Sequence, residues 1–284
     1  APEVVCLTYG YGGETEPAAR VTFNKAGIYA QDEWNATQRF KLTYGLRLDG
    51  LFFVNSDLMT NQAIYDLDYN GRHIDTGKWP KAQITASPRI GFNWDILGNK
   101  TLKLRGGTGL FAGRLPLVFF TNMPTNSGMV QYQAQINSKN ASERGFTMNE
   151  FAGGLVTDQN GKPTIAALKE KLIGLGYPEN ITPEQGTVPS SISAVDSKFK
   201  MPQVWKTSLA VDYQLPVDFP FTVTAEGIVN KVVNDVTISD WSMTDTKGYT
   251  RWNGADSRPI YPETFRVPGN KQAFVLENTH KGYG

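Results

Sequence analysis

RFKLTYGLRLDGLFF, residues 39–53, alternates between apolar and polar side chains. Every second position from 40 to 48 holds a large apolar or aromatic residue, and the positions between hold charged residues, threonine or glycine. A period of two indicates a β-strand with one apolar and one polar face. Globular strands usually run about 5–6 residues, whereas a tilted transmembrane strand needs about 9–11 and can project beyond the bilayer. The length therefore favours a barrel wall.

The same alternation recurs along the chain, which indicates an all-β protein. Further strands are predicted over residues 22–34, 87–96, 102–110, 205–215 and 221–230, and a seventh over 232–241 after a break near Asn230.

Short and long connections alternate between these predicted strands. Residues 35–38, 97–100 and 215–221 form short links, whereas about 30 residues, 54–85, and the segment 112–202 form long ones. This asymmetry is typical of an antiparallel transmembrane β-barrel with tight periplasmic turns and long extracellular loops.

Aromatic residues flank the short links on the apolar parity. Rings at a membrane interface tolerate both headgroups and acyl chains, so we predict a periplasmic aromatic girdle. Aromatic residues beside the turns of a soluble sheet are the alternative. The predicted girdle residues are Trp34, Phe40, Trp94, Tyr213 and Phe221.

Charged residues on the opposite parity suit a water-filled barrel interior and require no catalytic role. Gly107 and Gly109 are predicted to face the same interior, where another backbone, such as a plug, comes close. The lumen-facing candidates are Arg47, Asp49, Arg89, Lys103, Arg105 and Glu226.

The segment 112–202 is predicted to be a long extracellular loop without a strand. Its one regular element is expected to be a short amphipathic helix over residues 163–174, followed by Gly176, Pro178 and Pro183. Loops of this length are usually functional, so two roles stay open, contact with a ligand and shielding of the barrel mouth.

The bulk composition excludes several function classes. The 284 residues carry a net charge of +1, which gives no electrostatic case for nucleic-acid binding. A single cysteine, Cys6, excludes an intrachain disulfide framework. No catalytic motif is present, and neither His73 nor His280 has acidic or cysteine neighbours at ligand spacing. No enzyme activity and no cofactor are therefore expected.

DLDYNG, residues 66–71, matches the first half of a calcium-binding loop through Asp66, Asp68 and Asn70. The bidentate glutamate that such a loop needs at its last position is replaced by Gly77. A polar turn in an extracellular loop is therefore favoured over a calcium site.

Four stretches of the chain resemble one known family. GIYAQDEWNATQRFKLTYGLRLD (27–49) and SPRIGFNWDILGNKTLKLRGGTGLFAGRLP (87–116) are similar to successive strands of TonB-dependent outer-membrane receptors. MPQVWKTSLAVDYQLP (201–216) and AFVLENTHKGYG (273–284) resemble the Oar-like branch, which is common in Bacteroidetes. The similarities occur in order and leave out the central loop.

The resemblance implies a barrel of about 22 strands with an N-terminal plug, and uptake of a nutrient ligand driven by the inner-membrane TonB complex. It also implies contact with the lipid bilayer and lipopolysaccharide, and a possible surface lipoprotein partner. No plug and no aromatic terminal strand is recognisable, so residues 1–284 are expected to be an internal part of the barrel wall. Two alternatives stay open: a small complete outer-membrane barrel, and a soluble β-rich carbohydrate-binding or adhesin domain.

Overall fold

Most of the regular structure is β-strand, as the alternating pattern predicts. The computed structural model describes residues 1–15, 17–54, 58–154, 156–243, 251–260, 272–279 and 282. The strands are β1 (Val5–Gly10), β2 (Phe23–Asn35), β3 (Phe40–Phe53), β4 (Gln83–Asp95), β5 (Leu102–Ala112), β6 (Gln131–Ile136), β7 (Ser191–Val195), β8 (Gln203–Gln214), β9 (Thr222–Asp240) and β10 (Gln272–Thr279). The α-helices are α1 (Gln62–Tyr65), α2 (Val118–Thr125), α3 (Ser138–Glu143) and α4 (Ile165–Gly174), with 3-10 turns at Met148–Phe151 and Pro183–Gln185.

Strands β2, β3, β4, β5, β8 and β9 form an antiparallel meander, which we call the wall sheet. Residues 36–39, 96–101 and 215–221 connect its strands at one end, the short-turn end. Residues 54–82 and 113–202 connect them at the other, the long-loop end. The predicted alternation of short and long connections is confirmed.

The strand register gives the wall sheet an apolar face and a polar face. One continuous row on the apolar face runs across all six strands. Its members are Trp34, Leu42, Phe92, Gly106, Leu209 and Gly227. The register therefore brings predicted apolar positions of neighbouring strands together, as in the pair of Leu42 and Phe92.

Large apolar side chains of the wall sheet are not covered by protein. Ile28 is 71% exposed and Ile84 76% exposed. Among the described residues of the six wall strands, the buried ones are Ser87, Gly109, Ala210 and Asn234. A continuous apolar surface of this extent needs a nonpolar environment.

The short turns are held by side chains that bond to the backbone. The Thr37 hydroxyl accepts a hydrogen bond from the Phe40 amide at 2.9 Å. The Asp95 carboxylate accepts from the amides of Gly98 and Lys100, both at 2.9 Å. Gly98 adopts a positive φ of 78°, which glycine reaches without steric cost. These contacts allow adjacent wall strands to reverse within a few residues.

Nearly all of the hydrophobic core lies outside the wall sheet. Of the buried hydrophobic residues described, Ala210 alone belongs to a wall strand. The others pack at the long-loop end, in what we call the loop layer: residues 1–15, the long connections, and β10 with the end of β9 that pairs with it. No described helix is long and apolar enough to cross a membrane.

The prediction that segment 112–202 contains no strand is wrong. It contains β6, which pairs antiparallel with β1, and β7, which pairs parallel with β10. The predicted helix over 163–174 is confirmed as α4, where the hydroxyl of Thr164 accepts from the Ala167 amide at 3.1 Å. The prediction overlooked two short alternating stretches, QYQAQI in β6 and SISA in β7, which a period of two could have marked as strands.

The predicted break near Asn230 is also wrong. Strand β9 runs through this residue without interruption for 19 residues. Its irregularity lies further on, where Val204 pairs with Val232 but Gln203 pairs with Asn234. The extra residue is a β-bulge, which increases local twist. Beyond it, β9 leaves β8 and pairs with β10.

A buried lysine joins α4 to the segment after β1. Lys169 is 5% exposed, and its amine donates to the carbonyls of Gly10 at 2.8 Å, Gly12 at 2.7 Å and Glu14. Burial raises the pKa of the neighbouring Tyr9 to about 12, so its neutral hydroxyl donates to the Pro178 carbonyl at 2.8 Å. The hydrogen bonds of the buried Lys169 amine are thus all made to backbone carbonyls.

We expect Gly109→Ala to destabilise the wall sheet by about 1–3 kcal/mol. A Cβ at this position would lie 2.8 Å from the Pro88 carbonyl oxygen, which is backbone and cannot rotate away. Gly227→Ala is the control, because its Cβ would meet nothing within 4 Å. Urea unfolding in lipid vesicles measures both, and equal free energies of unfolding for the two variants would contradict the prediction.

Lys169→Met should loosen the loop layer without affecting the wall sheet. It leaves three carbonyls, one buried and two partly buried, without their donor, at a cost of about 1–3 kcal/mol. Hydrogen exchange of the β1 and β6 amides should accelerate. In the control, Lys171→Met, the lost partner is Glu150 at 3.3 Å, a partly exposed pair. If the β1 amides of Lys169→Met exchanged as slowly as those of the unmodified protein, the stabilising role of Lys169 would be refuted.

Candidate functional site

The six predicted lumen-facing residues share the polar face of the wall sheet. Glu226 pairs with Ala210, which pairs with Arg105, so the two charged residues lie in one row. The neighbouring row holds Lys103 beside Asp212. Arg89 lies in the row that Gly45 and Gly109 share, and Arg47 and Asp49 follow towards the long-loop end.

Near the short-turn end the polar face is electrostatically balanced. The Nε of Arg105 lies 3.1 Å from Oδ2 of Asp212, and its Nη1 lies 3.8 Å from Oε1 of Glu226. Thr224 also donates its hydroxyl to Asp212 at 2.7 Å. These partly exposed pairs contribute little to stability, but they leave the arginine with acidic partners.

In the middle of the polar face the side chains are small. Gly91 pairs with Gly107, which pairs with Ser208. Two cations lie beside this band, on the ring of Phe111: the Arg89 guanidinium is 4.4 Å from the ring centroid and the Lys206 ammonium 5.9 Å. The ring therefore helps to hold Arg89 in place.

At the long-loop end a cavity of about 650 Å³ lies between the wall sheet and the loop that follows β5. Its polar lining includes a fork in which Arg47 donates to Asp49 through Nε at 2.7 Å and Nη2 at 2.8 Å. Its roof is residues 112–117 with Met201. The cationic lining residues are Lys25, Arg47, Arg89 and Arg114, and the acidic one is Asp49.

Two polar atoms at the polar face have no hydrogen-bond partner. Ser87, which is 2% exposed and lines the 650 Å³ cavity, has an unpartnered Oγ. Asn230 has an unpartnered Oδ1 and lines a second cavity of about 550 Å³ in the middle of the face. An unsatisfied buried polar atom costs about 1–3 kcal/mol, so each points to a bound partner such as water or a ligand.

The predicted girdle residues lie together on the apolar face, at the short-turn end. Trp34 pairs with Leu42 and Phe40 pairs with Trp94, whereas Tyr213 pairs with Leu102. Phe221 immediately precedes β9 and contacts Phe219, with ring centroids 5.8 Å apart. A membrane-interface role for these rings stays a prediction.

Sequence reasoning missed two polar contacts on the apolar face. Trp205, near the long-loop end, donates its indole N–H to the Thr108 hydroxyl at 2.7 Å. Asp32 accepts a hydrogen bond from the Tyr44 hydroxyl at 2.9 Å. The parity of Trp205 could have marked it as a ring at the second edge of the apolar band.

The weak calcium candidate forms a turn. Asn70 and Gly71 both have positive φ, 56° and 77°, as a type I′ turn requires. Asp68 accepts from the Gly71 amide at 2.5 Å, and Asp66 accepts from the side chain of Gln62 at 2.6 Å. Within the described ranges, no three His, Cys, Asp or Glu residues come close enough to hold a metal ion.

The two histidines do not meet in a site that the structure describes. His73 bonds through Nδ1 to the Tyr65 carbonyl at 2.9 Å. His280 lies outside the described residues.

Several residues that line the two cavities were missing from the sequence prediction. Lys25 and Lys206 have the parity of the polar face and could have been included on that ground. Arg114 lies beyond the end of β5, where the sequence no longer alternates and so does not indicate which way the side chain points. The burial of Ser87 depends on its neighbours across strands and has no signal in the sequence.

Comparison with known proteins agrees with this geometry. A family model described as an outer membrane beta barrel domain matches residues 8–264. No curated protein matches the chain significantly. The family match confirms the predicted fold class, antiparallel strands of a transmembrane β-barrel, and the bacterial outer membrane as the location.

Proposed function

The chain belongs to the outer membrane beta barrel domain family, and we propose that it forms part of the wall and ligand mouth of a TonB-dependent receptor. In this proposal the receptor takes up a nutrient ligand across the outer membrane. The role of this chain is to bind and admit the ligand, and it catalyses no reaction.

The two faces of the wall sheet support this assignment. In an outer-membrane barrel an outward apolar band contacts lipid and the interior is polar. The apolar face would then contact the bilayer and lipopolysaccharide, and the polar face would line the lumen. The band of Gly91, Gly107 and Ser208 leaves room for the backbone of a plug to approach.

The cavity under residues 112–117 is the observation that carries the receptor proposal. A passive pore needs an open lumen, whereas here the loop layer has its own hydrophobic clusters and closes over part of the polar face. At about 650 Å³ the cavity has the size of a small-molecule site. We place the ligand mouth at this end, and a surface lipoprotein would contact the same loop layer.

A small complete outer-membrane barrel remains the competing function. The soluble carbohydrate-binding or adhesin domain is disfavoured, because the family match and the exposed apolar face both indicate a membrane protein.

The test is cross-linking in the source bacterium. Cells that produce the affinity-tagged, full-length protein are cross-linked and solubilised in detergent, and the tagged protein is purified. We expect TonB to be recovered with it, because an energised receptor must contact TonB through its plug. A tagged passive porin from the same membrane is the control and should recover none.

Conductance in planar bilayers gives the opposing result. A plugged receptor should show no constitutive channel. A steady ion conductance together with no TonB recovery would overturn the proposal and support a passive barrel.

A further inference from the structure

We propose that the cavity roofed by residues 112–117 binds the anionic group of an organic ligand, with an apolar part of the same ligand held under the roof. This inference rests on the proposed receptor function and specifies the class of substrate. Carboxylate is the anionic group we consider first, since a guanidinium can donate to it in a bidentate manner.

The charge of the cavity favours an anion. Four cations and one carboxylate line it, for a formal charge of +3. The carboxylate, Asp49, is already engaged by the fork of Arg47. In the described part of the chain, Lys25, Arg89 and Arg114 form no ion pair within 4.0 Å.

The excess of positive charge at the cavity is not found at the short-turn end of the same face. There Arg105 has two carboxylates within 4.0 Å, Asp212 and Glu226. Both regions lie on the same polar face and are exposed to the same solvent. A general need for a hydrated lumen therefore does not explain why the cavity region has three cations, Lys25, Arg89 and Arg114, without an acidic partner within 4.0 Å among the described residues.

Ser87 supplies an independent observation at the same place. It lies directly opposite Arg47 in the register and two residues from Arg89, so all three side chains leave the same face. Its hydroxyl is buried at the cavity and has no partner. A hydroxyl can donate to an anion that the two arginines flank.

The remaining lining determines what else the ligand carries. Apolar side chains from strands β2 and β3 and from the roof also line the cavity. They are Phe23, Leu51, Leu115, Pro116, Leu117 and Met201. A bare inorganic ion would leave this surface unused, so an organic anion with an apolar portion suits the cavity better.

The test measures binding of hexanoate and hexanamide, which share a body and differ in charge, to the full-length protein in lipid nanodiscs. Saturation-transfer NMR titrations give both affinities. We expect hexanoate to bind at least about tenfold more tightly than hexanamide, and Arg89→Gln to weaken hexanoate by roughly tenfold.

Ser87→Ala is the most informative variant. It removes a hydroxyl that has no partner, so folding should be unaffected or improved. Hexanoate binding should nevertheless weaken by roughly threefold to tenfold, whereas hexanamide binding should not change. Lys103→Gln is the matched control on the same face, and it should alter hexanoate affinity by less than about twofold.

Equal affinities for hexanoate and hexanamide would overturn the proposal. So would a loss in Lys103→Gln as large as that in Arg89→Gln, because the effect would then be general screening of the lumen. The assay needs no TonB. If no TonB is recovered and a steady conductance is seen while the hexanoate results hold, the receptor function is overturned and the anion site stands.

Discussion

Backbone hydrogen bonding between neighbouring wall strands is the constraint on which the rest of this structure depends. In the hydrocarbon core no water can satisfy an amide or a carbonyl, so each strand must pair with its neighbours. Pairing also fixes the register, and a slip of one residue would move every side chain to the opposite face. The row from Trp34 to Gly227 is continuous because each pair in the wall obeys this constraint.

The wall sheet and the loop layer differ in how they treat apolar side chains. The wall sheet has no interior packing of its own and leaves residues such as Ile84 uncovered. The loop layer buries aromatic and aliphatic residues in three clusters, as the core of a water-soluble domain does. The cavity lies where these two regions meet, with mostly polar residues from the strands and mostly apolar residues from the loop.

This separation explains what the sequence could predict. Wall strands such as β3 were recognisable because their two faces meet different surroundings, which imposes a period of two. Strand β7 alternates over only five residues, and β10 holds consecutive apolar residues, Phe274, Val275 and Leu276, so neither gives a long alternating pattern. The charged residues of the polar face could be predicted because they occupy alternate positions along the wall strands. The neighbours that surround Ser87 come together only through pairing across strands and through the return of a distant loop.

The parallel pairing of β7 with β10 has a mechanical consequence for the cavity roof. The segment that carries the roof is closed at its base, beside the ladder of β5 and β8, where the Gly113 amide donates to the Pro202 carbonyl at 2.8 Å. Further along, β7 is one strand of the same continuous eight-stranded sheet. Asn278 adds a two-way bond to the backbone of Lys200, at 2.5 and 2.8 Å. A hinged movement of this segment would have to break these hydrogen bonds, so they restrain the cavity roof both at the base of the segment and at β7.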